Sequence, residues 1–104
     1  MASIRIAVAA TLTLWCTCTA AQETNAAART IAAGCAACHG TNGVSLGRVP
    51  SLAGAQRADI VARMQDFKSG RRSGTVMPQL AKGYSDEQID LAAAWFAAQP
   101  APAR

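Results

Sequence analysis

Two thiols with two alanines between them and an imidazole directly behind the second, Cys35-Ala-Ala-Cys38-His39, commit the middle of this chain to a short list of chemistries. Such a trio can ligate a metal ion, exchange as dithiol and disulfide, or hold a group through covalent bonds to sulfur. Each option needs different company. A structural zinc site takes four ligands drawn mainly from Cys and His. Exchange of the thioredoxin kind needs the pair beside a βαβ unit. What the remaining residues supply decides among them.

The first residues do not read as part of a fold. Arg5 precedes an apolar run from Ile6 to Trp15, then small residues from Cys16 to Ala21, then polar Gln22-Glu23-Thr24-Asn25. A basic start, an apolar middle and a small-residue exit are the marks of a secretory signal peptide. We therefore expect residues 1–21 to be a signal peptide, cut after Ala21 or one residue earlier, and residues 22–104 to be a single exported domain in the periplasm. An uncleaved membrane anchor is the alternative, but Ile6 to Ala21 is short and carries several threonines, against the ~20 apolar residues that a span needs. Neither Cys16 nor Cys18 follows the residues of a lipoprotein signal, which argues against a lipid anchor.

Cleavage removes Cys16 and Cys18, so the exported part keeps Cys35, Cys38 and the sole histidine. Zinc then lacks a fourth ligand of the usual kind. No stretch alternates apolar and polar residues as a strand does, so the dithiol reading loses its βαβ setting. An oxidising compartment also leaves an adjacent thiol pair oxidised or occupied. The third option uses all three residues: Cys-x-x-Cys-His is the attachment signature of c-type haem, with both thiols bonded to the ring and the histidine beside its iron. We expect one covalent haem c on Cys35 and Cys38, with His39 as an axial ligand. The large side chains point the same way. After cleavage the aromatic residues are Phe67, Tyr84, Trp95 and Phe96, little with which to fill a core. Domains this small usually borrow stability from disulfides, a metal or another bulky insert.

Helical signals account for most of what is left. Asn25 to Ala33 is alanine-rich and helix-prone, with Gly34 placed to end it. Gly40 through Gly47 to Pro50 is turn chemistry and reads as a loop. Gln56 to Ser69 repeats apolar Ile60, Met64 and Phe67 at helical spacing and closes at Gly70. Arg71 to Gly83 reads as loop with one helical turn from Gln79 to Lys82. Ser85-Asp-Glu-Gln88 is a capping box opening a last helix that runs to Gln99, after which Pro100 and Pro102 leave a frayed tail. The fold class is all-α, with three to four helices.

A haem that only carries electrons needs its second axial position filled, most often by a thioether. Met64 sits on the apolar stripe of its helix and reads as core. Met77 lies in Thr75-Val-Met-Pro78, where Pro78 fixes the backbone, and is the candidate iron ligand. The backbone carbonyl of Pro50 is the candidate acceptor for the ring N–H of His39. Lys68, Arg71, Arg72 and Lys82 flank the Met77 segment and form a candidate steering patch for an acidic partner. The net charge is small and positive, with no long Lys/Arg run, which excludes a nucleic-acid footprint.

These residues together resemble the monohaem class I cytochromes c, over essentially the whole exported part. The resemblance implies the cytochrome c fold, with the first and last helices crossing and Trp95 or Phe96 packed on Ala27 and Ile31. A narrower likeness, in Phe67-Lys-Ser-Gly-Arg71 and Ala81-Lys-Gly-Tyr-Ser-Asp-Glu87, is to the cytochrome subunit of flavocytochrome c sulfide dehydrogenase, and less closely to di-haem carriers; one attachment motif allows only one haem here. That likeness implies an electron-transfer protein, not an enzyme, which accepts electrons from a flavin-containing sulfide dehydrogenase subunit. The competing readings are a free soluble cytochrome that donates to a terminal oxidase, and a haem sensor or peroxidase with an open sixth position.

Overall fold

The alanine-rich stretch that leads to the cysteines is helical throughout, and α1 spans Arg5–His39. The computed structural model describes residues 5–103, with side chains described over residues 20–103. The start of the expected signal peptide, and the side chains of Cys16 and Cys18, lie outside the described residues. Gly34, expected to end the first helix, does not. Glycine weakens a helix interior by ~1 kcal/mol but does not by itself break it. The break comes at Gly40, whose φ of 86° is left-handed. Only glycine fits there, because a Cβ would stand 1.8 Å from the Val44 carbonyl oxygen.

Past a 3₁₀ turn at Thr41–Gly43 the chain loops to α2, Arg57–Ser69, which Gly70 closes in the left-handed conformation. Helix α3, Met77–Lys82, starts two residues earlier than the turn signals suggest. Pro78 sits in its first turn, where a missing N–H costs nothing and the fixed φ suits the helix. Helix α4, Asp86–Ala97, opens on the expected capping box: Gln88 N donates to Ser85 Oγ at 3.1 Å and Ser85 N to Gln88 Oε1 at 2.9 Å. It stops short of Gln99, whose side chain instead donates to the Trp95 carbonyl at 3.0 Å. The described residues form helices and loops only, an all-α fold.

Helix α1 packs on α4, and α2 packs on both α3 and α4. The buried apolar residues are Ala28, Ala32, Ala53, Ala81, Ile89, Ala93 and Phe96. Ala28 and Ala32 share a face of α1, as Ile89, Ala93 and Phe96 share a face of α4. Phe96, 1% exposed, is the aromatic at the crossing, but the residues of α1 buried there are not those expected: Ala27 is exposed and Ile31 half-buried. The helix is turned so that its smallest side chains face α4, which lets two backbones approach. The tail is not simply frayed, since a Cβ on Gly54 would meet the Ala101 Cβ at 2.7 Å. Among the described residues no helix is long and apolar enough to cross a membrane.

Candidate functional site

Cys35, Cys38 and His39 occupy the last turns of α1, so helix geometry alone brings them together. Cys35 is half-buried and Cys38 exposed, and neither is in a disulfide. Burial pushes the Cys35 thiol up from its ordinary value.

Gly40 turns the chain back over His39. The Gly43 carbonyl accepts from Leu52 N at 2.8 Å and Ala53 N at 3.1 Å, and Ser45 N donates to Ser51 Oγ at 2.9 Å. These bonds fold the loop so that the Pro50 carbonyl oxygen stands 2.6 Å from His39 Nδ1. A carbonyl only accepts, so Nδ1 is the donor in this contact, which leaves Nε2 as the nitrogen available to a metal. That is the arrangement of a metal-ligating histidine, whose second nitrogen is held by a backbone or carboxylate acceptor. The Ser45–Ser51 clasp is a site feature that sequence reading missed; its only sequence signal is a serine directly after Pro50.

Met77 belongs to a different part of the molecule, the first position of α3, and is half-buried. Helix α3 rests on α2, not on the end of α1, so the methionine is positioned through α2 and the segment before it. Tyr84, just past α3, links the two parts: a Cβ on Gly34 would stand 3.2 Å from its hydroxyl. Lys68 holds the same residue, donating to the Tyr84 carbonyl at 2.8 Å and to Asp86 Oδ1 at 2.9 Å.

The candidate steering patch is weaker than the sequence suggests. Lys68 is paired with Asp86, and Arg71 with Asp66 at 2.7 Å. Arg72 lies over the Phe67 ring, 5.3 Å from its centroid. Spacing along the chain cannot reveal this, because the neutralising carboxylate of Lys68 comes from another helix. Lys82 stays exposed at the end of α3.

The residues fit a covalent haem. The donor set pairs two alkylatable thiols with an imidazole whose Nε2 is oriented by Pro50. A cavity of about 540 Å³ opens beside Cys38 and Thr41, lined further by Val44, Leu46 and Val49. Leu46, Val49, Val76 and Leu80 are exposed apolar side chains, and Val49 and Val76 adjoin Pro50 and Met77 in sequence. Covering such surface stabilises by ~25 cal/mol per Å².

Comparison with known proteins places this geometry. Residues 22–96 match the family described as cytochrome C oxidase, cbb3-type, subunit III. The cytochrome subunit of sulfide dehydrogenase from Chlorobaculum tepidum is 47% identical over 60% of this chain and 56% of its own length. A thiosulfate dehydrogenase electron acceptor from Stutzerimonas stutzeri is 38% identical over 76% of this chain and 38% of its own. Cytochrome c-554(548) from Halomonas halodenitrificans is 35% identical over 62% of this chain and 83% of its own. The chain thus spans about half or less of the first two relatives and most of the third. With the fold, the motif and the matched family in agreement, the chain belongs to the cytochrome c family, consistent with its class I, monohaem type, and its cofactor is covalent haem c.

Proposed function

We propose that residues 22–104 act in the periplasm as a one-electron carrier with His/Met-ligated haem, accepting electrons from the flavin-containing subunit of a sulfide-oxidising dehydrogenase. Cys35 and Cys38 would hold the ring through thioethers, and His39 Nε2 and Met77 Sδ would be the iron's protein ligands. The bound haem supplies a reversible one-electron iron couple. The protein's own contribution is positional. Pro50 keeps the proton on Nδ1 and so fixes the orientation and basicity of the imidazole. A thioether from Met77 as the second protein ligand would raise the potential and close the iron to oxygen and peroxide, so that electrons would pass without bond chemistry.

The observation that carries this reading is the His39 Nδ1 to Pro50 oxygen contact of 2.6 Å directly behind the two thiols. The named sulfide dehydrogenase subunit at 47% identity supports the donor. The family match starting at residue 22 supports a separate export segment before it. A reduced-minus-oxidised visible spectrum of the periplasmic protein tests the ligation: the parent should show the weak far-red band of thioether ligation when oxidised, and Met77→Ala should lose it. Ready binding of carbon monoxide by the reduced parent would instead mean an open sixth position. Purification under mild conditions tests the partner, which should come away as a larger, flavin-coloured subunit. Recovery of the cytochrome alone and monomeric favours a free carrier that donates to a terminal oxidase, the reading to which the oxidase family description lends weight.

A further inference from the structure

We infer that Gly74 is a positioning residue for Met77, a reading that deepens the proposed ligation and rests on Met77 being the distal ligand. The segment between α2 and α3 is pinned where it starts. Arg72 N donates to the Asp66 carbonyl at 3.1 Å, Arg71 pairs with the Asp66 carboxylate at 2.7 Å, and the Arg72 guanidinium covers the Phe67 ring. From there the chain must pass between two rings. A Cβ on Gly74 would stand 3.2 Å from Phe67 Cε1 and 3.2 Å from Pro78 Cδ.

Backbone strain is not the reason for glycine here, because Gly74 is not among the positive-φ glycines. Alanine is conformationally allowed, and the objection to it is contact alone. Neither wall yields freely. Phe67 is held on α2 under Arg72, and the Pro78 ring is locked to its own backbone with φ near −65°. Pro78 also forms the first turn of α3 and is bonded directly to Met77. A push on its ring therefore shifts the start of α3 and takes the Met77 backbone with it. The absent side chain at position 74 sets how close to α2 the methionine sits.

The test uses haem-loaded protein and two readouts of the distal bond, the far-red band and the affinity of the oxidised form for added imidazole. Gly74→Ala should weaken the band and tighten imidazole binding about tenfold, the effect of a distal bond weakened by one factor of ten. Phe67→Leu removes one of the two walls that the new methyl would strike and leaves it room to move away from Pro78, so the Gly74→Ala, Phe67→Leu double variant should lie closer to the parent than Gly74→Ala does. Exposed Ser73 serves as control, and Ser73→Ala should leave both readouts unchanged. A Gly74→Ala protein that melts earlier but keeps the parent's band and imidazole affinity overturns the inference, as does a double variant in which the two effects add. If Gly74→Ala cannot be recovered with haem, recovery by the added Phe67→Leu supports the steric account and failure to recover overturns it. A Met77→Ala protein that keeps the band overturns the ligand reading itself, and is recognised by that variant alone.

Discussion

A methyl group on Gly34 would come to 3.2 Å from the Tyr84 hydroxyl, closer than side chains comfortably pack. Two effects then compete at this position. Alanine in place of glycine stabilises a helix interior by ~1 kcal/mol, while overpacking against a fixed neighbour costs ~1–3 kcal/mol. Gly34→Ala should therefore be neutral to destabilising in the parent. In a Tyr84→Phe background, where the clashing oxygen is gone, the same change should stabilise by about 1 kcal/mol, read as a higher thermal midpoint. A loss in both backgrounds would mean that the phenol is not what confines position 34. The residue also marks a limit of sequence reading. Glycine after an alanine-rich run looks like a helix stop, and nothing nearby in the chain reveals that a tyrosine from far downstream lies over it. The stop at Gly40 is of the other kind, imposed by its own left-handed backbone.

Between elements, polar bridges also run from α2 to α4. Arg57 forms a forked pair with Asp90, its Nε donating to Oδ1 at 2.8 Å. Gln65 and Lys68 both donate to Asp86 Oδ1, at 2.9 Å each. The hydrogen bond from Gln65, then that from Lys68, holds the Asp86 carboxyl below its ordinary range, and the hydrogen bond from Arg57 does so for Asp90. A carboxylate whose folded-state pKa is depressed contributes stability above the unfolded value, ~3.9, and that contribution is lost as the pH falls through the folded value. The thermal midpoint should thus stay level from neutral pH down to about pH 5 and fall below about pH 4. Asp86→Asn together with Asp90→Asn should flatten that acid limb while leaving its neutral end only slightly lower. Both groups are solvent-exposed, so added salt should shrink the difference. At the start of α4, Ser85→Ala removes a cap that accepts from Gln88 N and should cost about 1 kcal/mol in denaturant unfolding. This cap was fully legible beforehand, because a capping box is a local pattern. The bridges were not, since charges on separate helices carry no mark of their partners.

At the scale of the whole molecule, the buried apolar set among the described residues holds five alanines beside Ile89 and Phe96. So little bulk is a weak basis for a domain of this length. Haem is then a structural element as well as the redox centre. The Cys35→Ser, Cys38→Ser double variant, exported without haem, should lose most of the helical circular dichroism of the holoprotein and show no cooperative melting. Retention of native-like helix and a sharp transition would show that the protein residues suffice. Helix content and the all-α class were readable from alanine richness, apolar spacing and turn residues. So was the grouping of Cys35, Cys38 and His39, because neighbours on one helix keep their relation whatever the chain does elsewhere. Other features arise only when distant segments meet. They include the loop that folds the Pro50 carbonyl back onto His39, eleven residues away, and the face of α1 turned toward α4. They include also the pairing that neutralises Lys68 and the rings on either side of Gly74. The physical division follows range: short-range sterics and hydrogen bonding are set by adjacent residues, whereas burial and charge pairing depend on which surfaces the packed helices bring within a few ångströms of each other.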